Sequence, residues 1–81
     1  MRWRLQYARV VTSYLYSLRE TGHELHTTIK ALQEEPEPWK KARLIAERPG
    51  RYEFEAMGHW VGFDVIQEEE PTIRVIYIQA T

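Results

Sequence analysis

The chain is predicted to be a small α+β domain in which a helical hairpin packs on one face of an antiparallel sheet. Three observations predict this class. A short segment with alternating apolar residues opens the chain, apolar residues at helical spacing follow it, and three segments with strand character end it. The predicted order is β-α-α-β-β-β, and 81 residues leave room for a single domain over residues 1–81.

Four segments are predicted to be strands because apolar residues alternate in them or β-branched residues are dense. These segments are residues 2–7, 52–57, 59–66 and 72–80. Turns are predicted at residues 48–51, at Gly58 and at residues 67–71, so the last three strands form an antiparallel meander. The last segment alternates poorly, which predicts a central strand covered on both faces.

Between the first and second strands, apolar residues recur at intervals of three and four. Glycine is a poor residue inside a helix, so the interruption at residues 21–23 predicts two helices, over about 9–20 and 23–34. One bent helix is the alternative, and a coiled-coil seam also fits the spacing. The prolines in residues 34–38 end the helical region, and a short helical turn is expected over residues 39–47.

Composition excludes several classes of protein. The chain has no cysteine, which excludes disulfide scaffolds and thiolate metal sites. No apolar segment is long enough for a membrane span, and the first residues lack the apolar core of a secretion signal, so a cytoplasmic location is expected. No phosphate loop, nucleophile elbow or zinc-protease motif is present, and we expect no metal and no cofactor.

Basic and acidic residues lie in alternating blocks, although the net charge is only −1. Basic and aromatic residues alternate at the start of the chain and again after the helices, a pattern that can hold phosphates and stack bases. The candidate nucleic-acid-binding residues are Arg2, Arg4, Trp39, Lys40, Lys41 and Arg43. Trp3 belongs to the same pattern but fits the core at least as well, because Leu5 and Tyr7 on the same strand are apolar. Ordinary solvated faces remain the alternative for the charge blocks.

Three groups of residues are candidates for chemistry. His59 and Glu55 flank the Gly58 turn and are candidates for an acid–base pair. His23 and His26 are spaced to share a helix face, but zinc needs further ligands. The carboxylates of Glu53, Glu55 and Asp64 are candidates for a cation site on an open sheet face. For each group, an ordinary surface role is the alternative, with cross-strand ion pairs to arginine in the last case.

The order of elements and several local sequences resemble the RelE/ParE superfamily of small bacterial toxins. VTSYLYSLRE and ELHTTIKALQ look like the helical hairpin of that family. The segment ARLIAERPGRYEFEAMGHWVGFDVI looks like the part in which a basic segment and a glycine turn lead into the hairpin strands. The resemblance covers nearly the whole chain and implies a toxin held by an antitoxin protein. The resemblance to the RNA-cleaving members of that family implies a metal-independent endonuclease that cleaves mRNA on the ribosome.

Several residues depart from the pattern of the RNA-cleaving members. Where that family carries basic residues on the strands, this chain carries Glu53 and Glu55, and Trp60 stands in the place of an arginine. A carboxylate beside a phosphate is unfavourable, because like charges at close range repel by about 4 kcal/mol at an effective dielectric of 20. Arg74 and His59 remain as candidates for contact with a target.

Three functional hypotheses follow. The first is a toxin-like protein that acts on RNA or the ribosome and is bound by an antitoxin. The second is a non-catalytic protein-interaction module, a homodimer or a partner-binding domain, with Trp60 as an exposed anchor. The third is a toxin whose target is a protein such as a topoisomerase, which would need no basic cluster.

Overall fold

The computed structural model describes residues 2–45 and 49–81 and gives an α+β fold with two helices and one mixed sheet. In chain order the elements are β1 (Arg4–Tyr7), α1 (Arg9–Ser17), α2 (Glu20–Ala31), β2 (Arg43–Leu44), β3 (Arg51–Ala56), β4 (His59–Ile66) and β5 (Thr72–Ala80). A 3₁₀ turn over Leu32–Glu34 continues α2. No helix in the described residues is long and apolar enough to cross a membrane.

The strands lie in the order β1-β5-β4-β3-β2. The predicted all-antiparallel sheet is wrong in one pairing, because β1 runs parallel to β5 while the other pairs are antiparallel. A parallel pair needs a long crossover connection, and everything from α1 to β4 lies between these two strands. The short strand β2 was not predicted, so the predicted element order lacked one strand.

Trp39 to Ala42 form a single turn, with the Ala42 N–H bonded to the Trp39 carbonyl, and the chain then becomes β2. The helical turn predicted for residues 39–47 is therefore confirmed only at its start. Its last residues, 46 and 47, lie outside the described part of the chain, as does Arg48 of the turn predicted at 48–51. Gly50, within that same turn, has the positive φ that a turn glycine adopts.

The two helices meet at a different place from the one predicted. α1 ends at Ser17, α2 begins at Glu20, and Gly22 lies inside α2. A Cβ at Gly22 would come within 2.0 Å of the Leu15 carbonyl oxygen. The glycine therefore allows close approach of the two helices, whereas the sequence suggested that it interrupts them.

The core lies between the helices and one face of the sheet, which we call the inner face. It contains Val11 from α1, Leu25 and Ile29 from α2, and the buried apolar residues of the strands. The buried strand residues are Val61, Phe63, Ile73, Val75 and Ile78. Trp3 belongs to this core as well, with 2% of its surface exposed, so its core interpretation is confirmed and it is not available to stack on bases. We call the opposite face of the sheet the outer face.

The poor alternation of β5 has a local cause. Phe63 pairs with Val75 and Gly62 pairs with Tyr77, so Ile76 has no partner on β4 and forms a bulge. The bulge returns Ile78 to the inner face and directs Tyr77 to the outer face. The position of β5 between β1 and β4 confirms a central strand. Its predicted burial on both faces is wrong, because Arg74 and Gln79 are exposed.

Candidate functional site

A row of three residues crosses the middle of the outer face. Glu53 of β3 pairs with Gly62 of β4, which in turn pairs with Tyr77 of β5. Because Gly62 has no side chain, the Tyr77 ring lies over it, and the Tyr77 hydroxyl donates a hydrogen bond of 2.5 Å to Glu53 Oε2. The carboxylate of Glu53 is thus held from a strand two positions away.

Arg43 completes this cluster from the edge strand. Its Nε donates a 2.6 Å hydrogen bond to Glu53 Oε1, and its guanidinium lies 4.6 Å from the centroid of the Trp60 ring. The hydrogen bond from Tyr77 and the charge and hydrogen bond of Arg43 lower the pKa of Glu53, although burial opposes them. Burial and the bond to Glu53 raise the pKa of Tyr77 to about 12. The carboxylate is therefore ionised and the phenol protonated at neutral pH.

The edge of the sheet beside this cluster is open. Among the described residues, β2 pairs with Tyr52 and Glu53 of β3, and no strand pairs with Phe54–Ala56 on that side. The Ile45 N–H bonds to the Arg51 carbonyl, so every second residue of β3 turns its backbone groups towards β2. Glu55 follows this alternation, and its N–H and C=O therefore point to the open edge.

A groove of about 520 Å³ runs along this open edge, and we call it the β3 edge groove. Apolar residues of α2, the 3₁₀ turn and β3 line one side, including Ala31, Leu32 and Phe54. Glu55 and Trp60 lie on the outer-face side. An exposed strand edge next to an apolar groove is the geometry at which extended segments add to a sheet.

Most predicted phosphate-binding arginines are already paired with carboxylates. Arg2 lies 3.2 Å from Glu34, Arg4 lies 2.6 Å from Glu70, and Arg43 is bound to Glu53. These pairs favour the solvated-face interpretation of the charge blocks over a continuous basic patch.

The predicted basic and aromatic group after the helices is divided between the core and the surface. The Trp39 ring contacts Trp3 edge-on at 5.8 Å and stacks near Tyr52 at 6.4 Å, so it closes one end of the core. Lys40 and Lys41 are exposed beside it. Trp39 and the two lysines therefore do not form one stacking and charge-binding surface.

The candidate acid–base pair is not assembled. Glu55 pairs with Trp60 while His59 pairs with Ala56, and neighbouring residues of a strand point to opposite faces. His59 packs near Tyr14 of α1, with ring centroids 6.0 Å apart, and its Nδ1 lies 2.8 Å from the Met57 carbonyl oxygen. Arg74 lies on the outer face, opposite Asp64 of β4, and its Nε donates a 3.1 Å hydrogen bond to Gln6 Oε1.

The carboxylates proposed as a cation site share the outer face but are used separately. Glu53 is bound by Arg43 and Tyr77, and Asp64 accepts two hydrogen bonds from Arg51 at 2.7 and 3.0 Å. In the described part of the chain, no group of three histidine, aspartate or glutamate residues is placed to hold a metal ion. His26, one of the two histidines considered for zinc, is hydrogen-bonded to Tyr7, with its Nδ1 2.6 Å from the Tyr7 hydroxyl oxygen.

Two residues of the cluster around Glu53, Tyr77 and Gly62, are not identified as site residues by the sequence. Both residues lie in segments that the sequence predicts to be strands, and the pattern gives neither of them a role in a site. The signal that could have found them is a glycine in the middle of a strand, which often marks close approach of another group.

A comparison with protein-family models finds no family that matches this chain, and a comparison with curated proteins finds no significant relative.

Proposed function

We propose that this chain is a non-catalytic protein-interaction domain that holds an extended segment of a partner protein on the open edge of β3. The observation that carries the proposal is the edge of β3 at Glu55, which pairs with no strand among the described residues and lies next to the β3 edge groove. In a toxin–antitoxin pair of the kind that the sequence resemblance implies, this partner would be the antitoxin.

The charges and the alternation of β3 indicate the chemistry of the partner segment. Glu55 is exposed on the outer face, whereas Phe54 faces the groove and the helices. A partner residue opposite Glu55 lies beside a carboxylate, so lysine or arginine is favoured there. Its two neighbours point to the inner side, against Phe54 and Leu32, and are expected to be apolar.

A second copy of this chain is a poor occupant of the edge. In an antiparallel pair, residues whose backbone groups point to the other strand lie opposite residues of the same kind. On this edge of β3 those residues include Glu53, which already pairs with β2, and Glu55. Self-pairing through the open edge therefore sets Glu55 against its own copy. Two carboxylates directly opposite each other destabilise a sheet, which favours a partner of different sequence over a homodimer.

The test uses the full chain labelled with ¹⁵N and two short acetylated peptides. One peptide has lysine between two valines, and the matched peptide has glutamate in place of the lysine. We expect the lysine peptide to shift the amide signals of Phe54, Glu55 and Leu32, and the glutamate peptide to bind more weakly. Failure of both peptides to shift these signals would overturn the proposed mode of binding.

Two variants separate strand addition from general charge attraction. Glu55→Pro removes an N–H that points to solvent, so β3 keeps its ladder with β4 while the edge loses a donor. Glu55→Lys reverses the charge and should reverse the preference between the peptides. Glu68→Lys, which changes an exposed residue of the β4–β5 loop, is the matched control. It should change neither the binding of the peptides nor the preference between them.

A second candidate is a toxin that cleaves messages on the ribosome, as the resemblance implies for RNA-cleaving relatives. The observation in its favour is the exposed guanidinium of Arg74, whose bonded partner is the neutral Gln6. Such a reaction needs cationic groups that stabilise the charge developing on the phosphorane. The ion pairs of Arg4, Arg43 and Arg51 leave little positive charge for that role on this face.

Tightly induced expression of the chain in a bacterial host, with transcript integrity followed in the same culture, distinguishes these functions. Growth arrest with cleaved messages supports the RNA-cleaving toxin, and Arg74→Gln should then restore growth. Arrest with intact messages indicates a protein target such as a topoisomerase. Normal growth with folded protein in the cells is the result expected for the interaction domain.

A further inference from the structure

A second groove lies between the two helices and shares no residue with the β3 edge groove. We call it the inter-helix groove. It has a volume of about 420 Å³, which is within the range of small-molecule sites. Tyr7, Leu15 and Tyr16 supply apolar walls. Tyr16 is 82% exposed, which leaves an aromatic ring at the mouth without burial in the core.

The polar lining of the inter-helix groove is rich in donors and basic groups. Arg19, His23 and His26 line it, together with the hydroxyl of Thr12. Among the described residues that line it, none is acidic. Glu20 and Glu24 lie in a shallow depression next to Arg19 and His23, outside this groove. The groove therefore combines apolar walls with groups that complement an anion.

The Tyr7–His26 contact orients one of these groups. Burial raises the pKa of Tyr7 to about 12, so the phenol keeps its proton at neutral pH and can donate it to His26 Nδ1. The 2.6 Å contact between the Tyr7 hydroxyl and His26 Nδ1 fixes the ring of His26 to β1.

Arg19 occupies a backbone conformation that is unfavourable for a side chain. Its φ is 55° and its ψ is −119°, and glycine adopts this region with less strain. The junction between α1 and α2 therefore carries an arginine where glycine would fit better. The side chain that accompanies this strain lines the inter-helix groove.

We propose that the inter-helix groove binds a small carboxylate with an aromatic body. The carboxylate would accept hydrogen bonds from Arg19, with His23 and His26 beside it, and the aromatic body would contact Leu15 and Tyr16. The site is independent of the proposed partner-binding edge, because the two grooves are lined by different residues.

The first test is a titration of the ¹⁵N-labelled chain with 3-phenylpropionate at millimolar concentrations. We expect shifts of the signals of Thr12, Arg19, His23 and His26. The neutral amide of the same shape, 3-phenylpropanamide, is the matched ligand and should bind about tenfold more weakly, the loss expected when a charge-assisted contact is removed. Equal binding of the two ligands, or shifts confined to other residues, would overturn the proposal.

The second test uses the strained position itself. Arg19→Gly removes the guanidinium and relieves the backbone, so the variant should fold with a raised melting temperature and lose binding of 3-phenylpropionate. Arg19→Lys keeps the charge and should retain most of the affinity. Glu24→Gln, which alters an exposed neighbour outside the groove, is the control and should bind at least as well as the parent chain. Unchanged binding by a folded Arg19→Gly variant contradicts the assignment.

Discussion

The ring of Tyr77 occupies the space that a side chain at Gly62 would need. A Cβ placed at Gly62 would lie 2.1 Å from the ring, and the ring is fixed at its far end by the hydrogen bond to Glu53. The two residues face each other because the bulge at Ile76 turns Tyr77 to the outer face. This relationship allows a side chain of β5 to cross β4 and hold a residue of β3.

Substitution of Gly62 by alanine should therefore destabilise the fold. The added methyl group must displace the Tyr77 ring and weaken its bond to Glu53. We expect a loss of about 2 kcal/mol in the free energy of unfolding, which is typical of overpacking. Urea unfolding at neutral pH measures it. In a Tyr77→Ala background the same change should cost far less, and an equal cost in both backgrounds would rule out the steric explanation.

Glu53 should contribute stability that disappears in acid. Its pKa in the folded chain is lowered from 4.5 by the bond from Tyr77 and by Arg43, so folding favours the carboxylate. The contribution is complete above pH 4.5 and is lost as the pH falls through the lower folded value. Glu53→Gln should cost about 2 kcal/mol at neutral pH, the size expected for hydrogen bonds to a charged group.

The acid dependence is the part of this prediction that a general packing defect would not reproduce. The difference in unfolding free energy between the parent chain and Glu53→Gln should shrink steadily below pH 4.5. Glu55→Gln is the matched control, because Glu55 is exposed and makes no ion pair in the described part of the chain. A constant difference for Glu53→Gln across the acid range would contradict the prediction.

The sequence predicted the parts of the fold that depend on local pattern. Period-two alternation located β3 and β4. The turn predicted at Gly58 is confirmed, because Met57 and Gly58 form a two-residue hairpin loop with positive φ at both positions. Helical spacing located α1 and α2. The parallel pairing of β1 with β5 was missed, since it joins residues more than sixty positions apart and leaves no local signal.

The candidate site was predicted less well, because its residues act in pairs across strands. Glu53 and Glu55 looked equivalent in the sequence, yet Glu53 is covered by Tyr77 and Arg43 while Glu55 is exposed. The difference follows from the end of β2 and from the bulge at Ile76. Both features are set by long-range packing and not by the residues around the two glutamates.

Two phenols should ionise late when the chain is titrated with base. The ordinary pKa of a tyrosine phenol is 10.0, and burial raises the pKa of Tyr7 to about 12. Burial and the hydrogen bond to Glu53 raise the pKa of Tyr77 to about 12 as well. Folding favours the protonated form, so this stability is complete below pH 10 and is lost between about pH 10 and 12. Phenolate absorbance should show a late step, which Tyr7→Phe and Tyr77→Phe each reduce. A single transition near pH 10 would contradict the assignment.

The ion pair of Arg51 and Asp64 should be stronger than that of Arg4 and Glu70. The guanidinium makes two hydrogen bonds to the carboxylate, and the two side chains are only 21% and 27% exposed. A double-mutant cycle with Arg51→Gln and Asp64→Asn should give a coupling of about 1 kcal/mol in urea unfolding, near the upper end for pairs at a surface.

The pair of Arg4 and Glu70 is the control, because its side chains are 58% and 71% exposed and water and salt screen it. Its coupling should be about 0.3 kcal/mol and should vanish in high salt. Equal couplings for the two pairs would show that burial and two-point geometry add nothing at this sheet face.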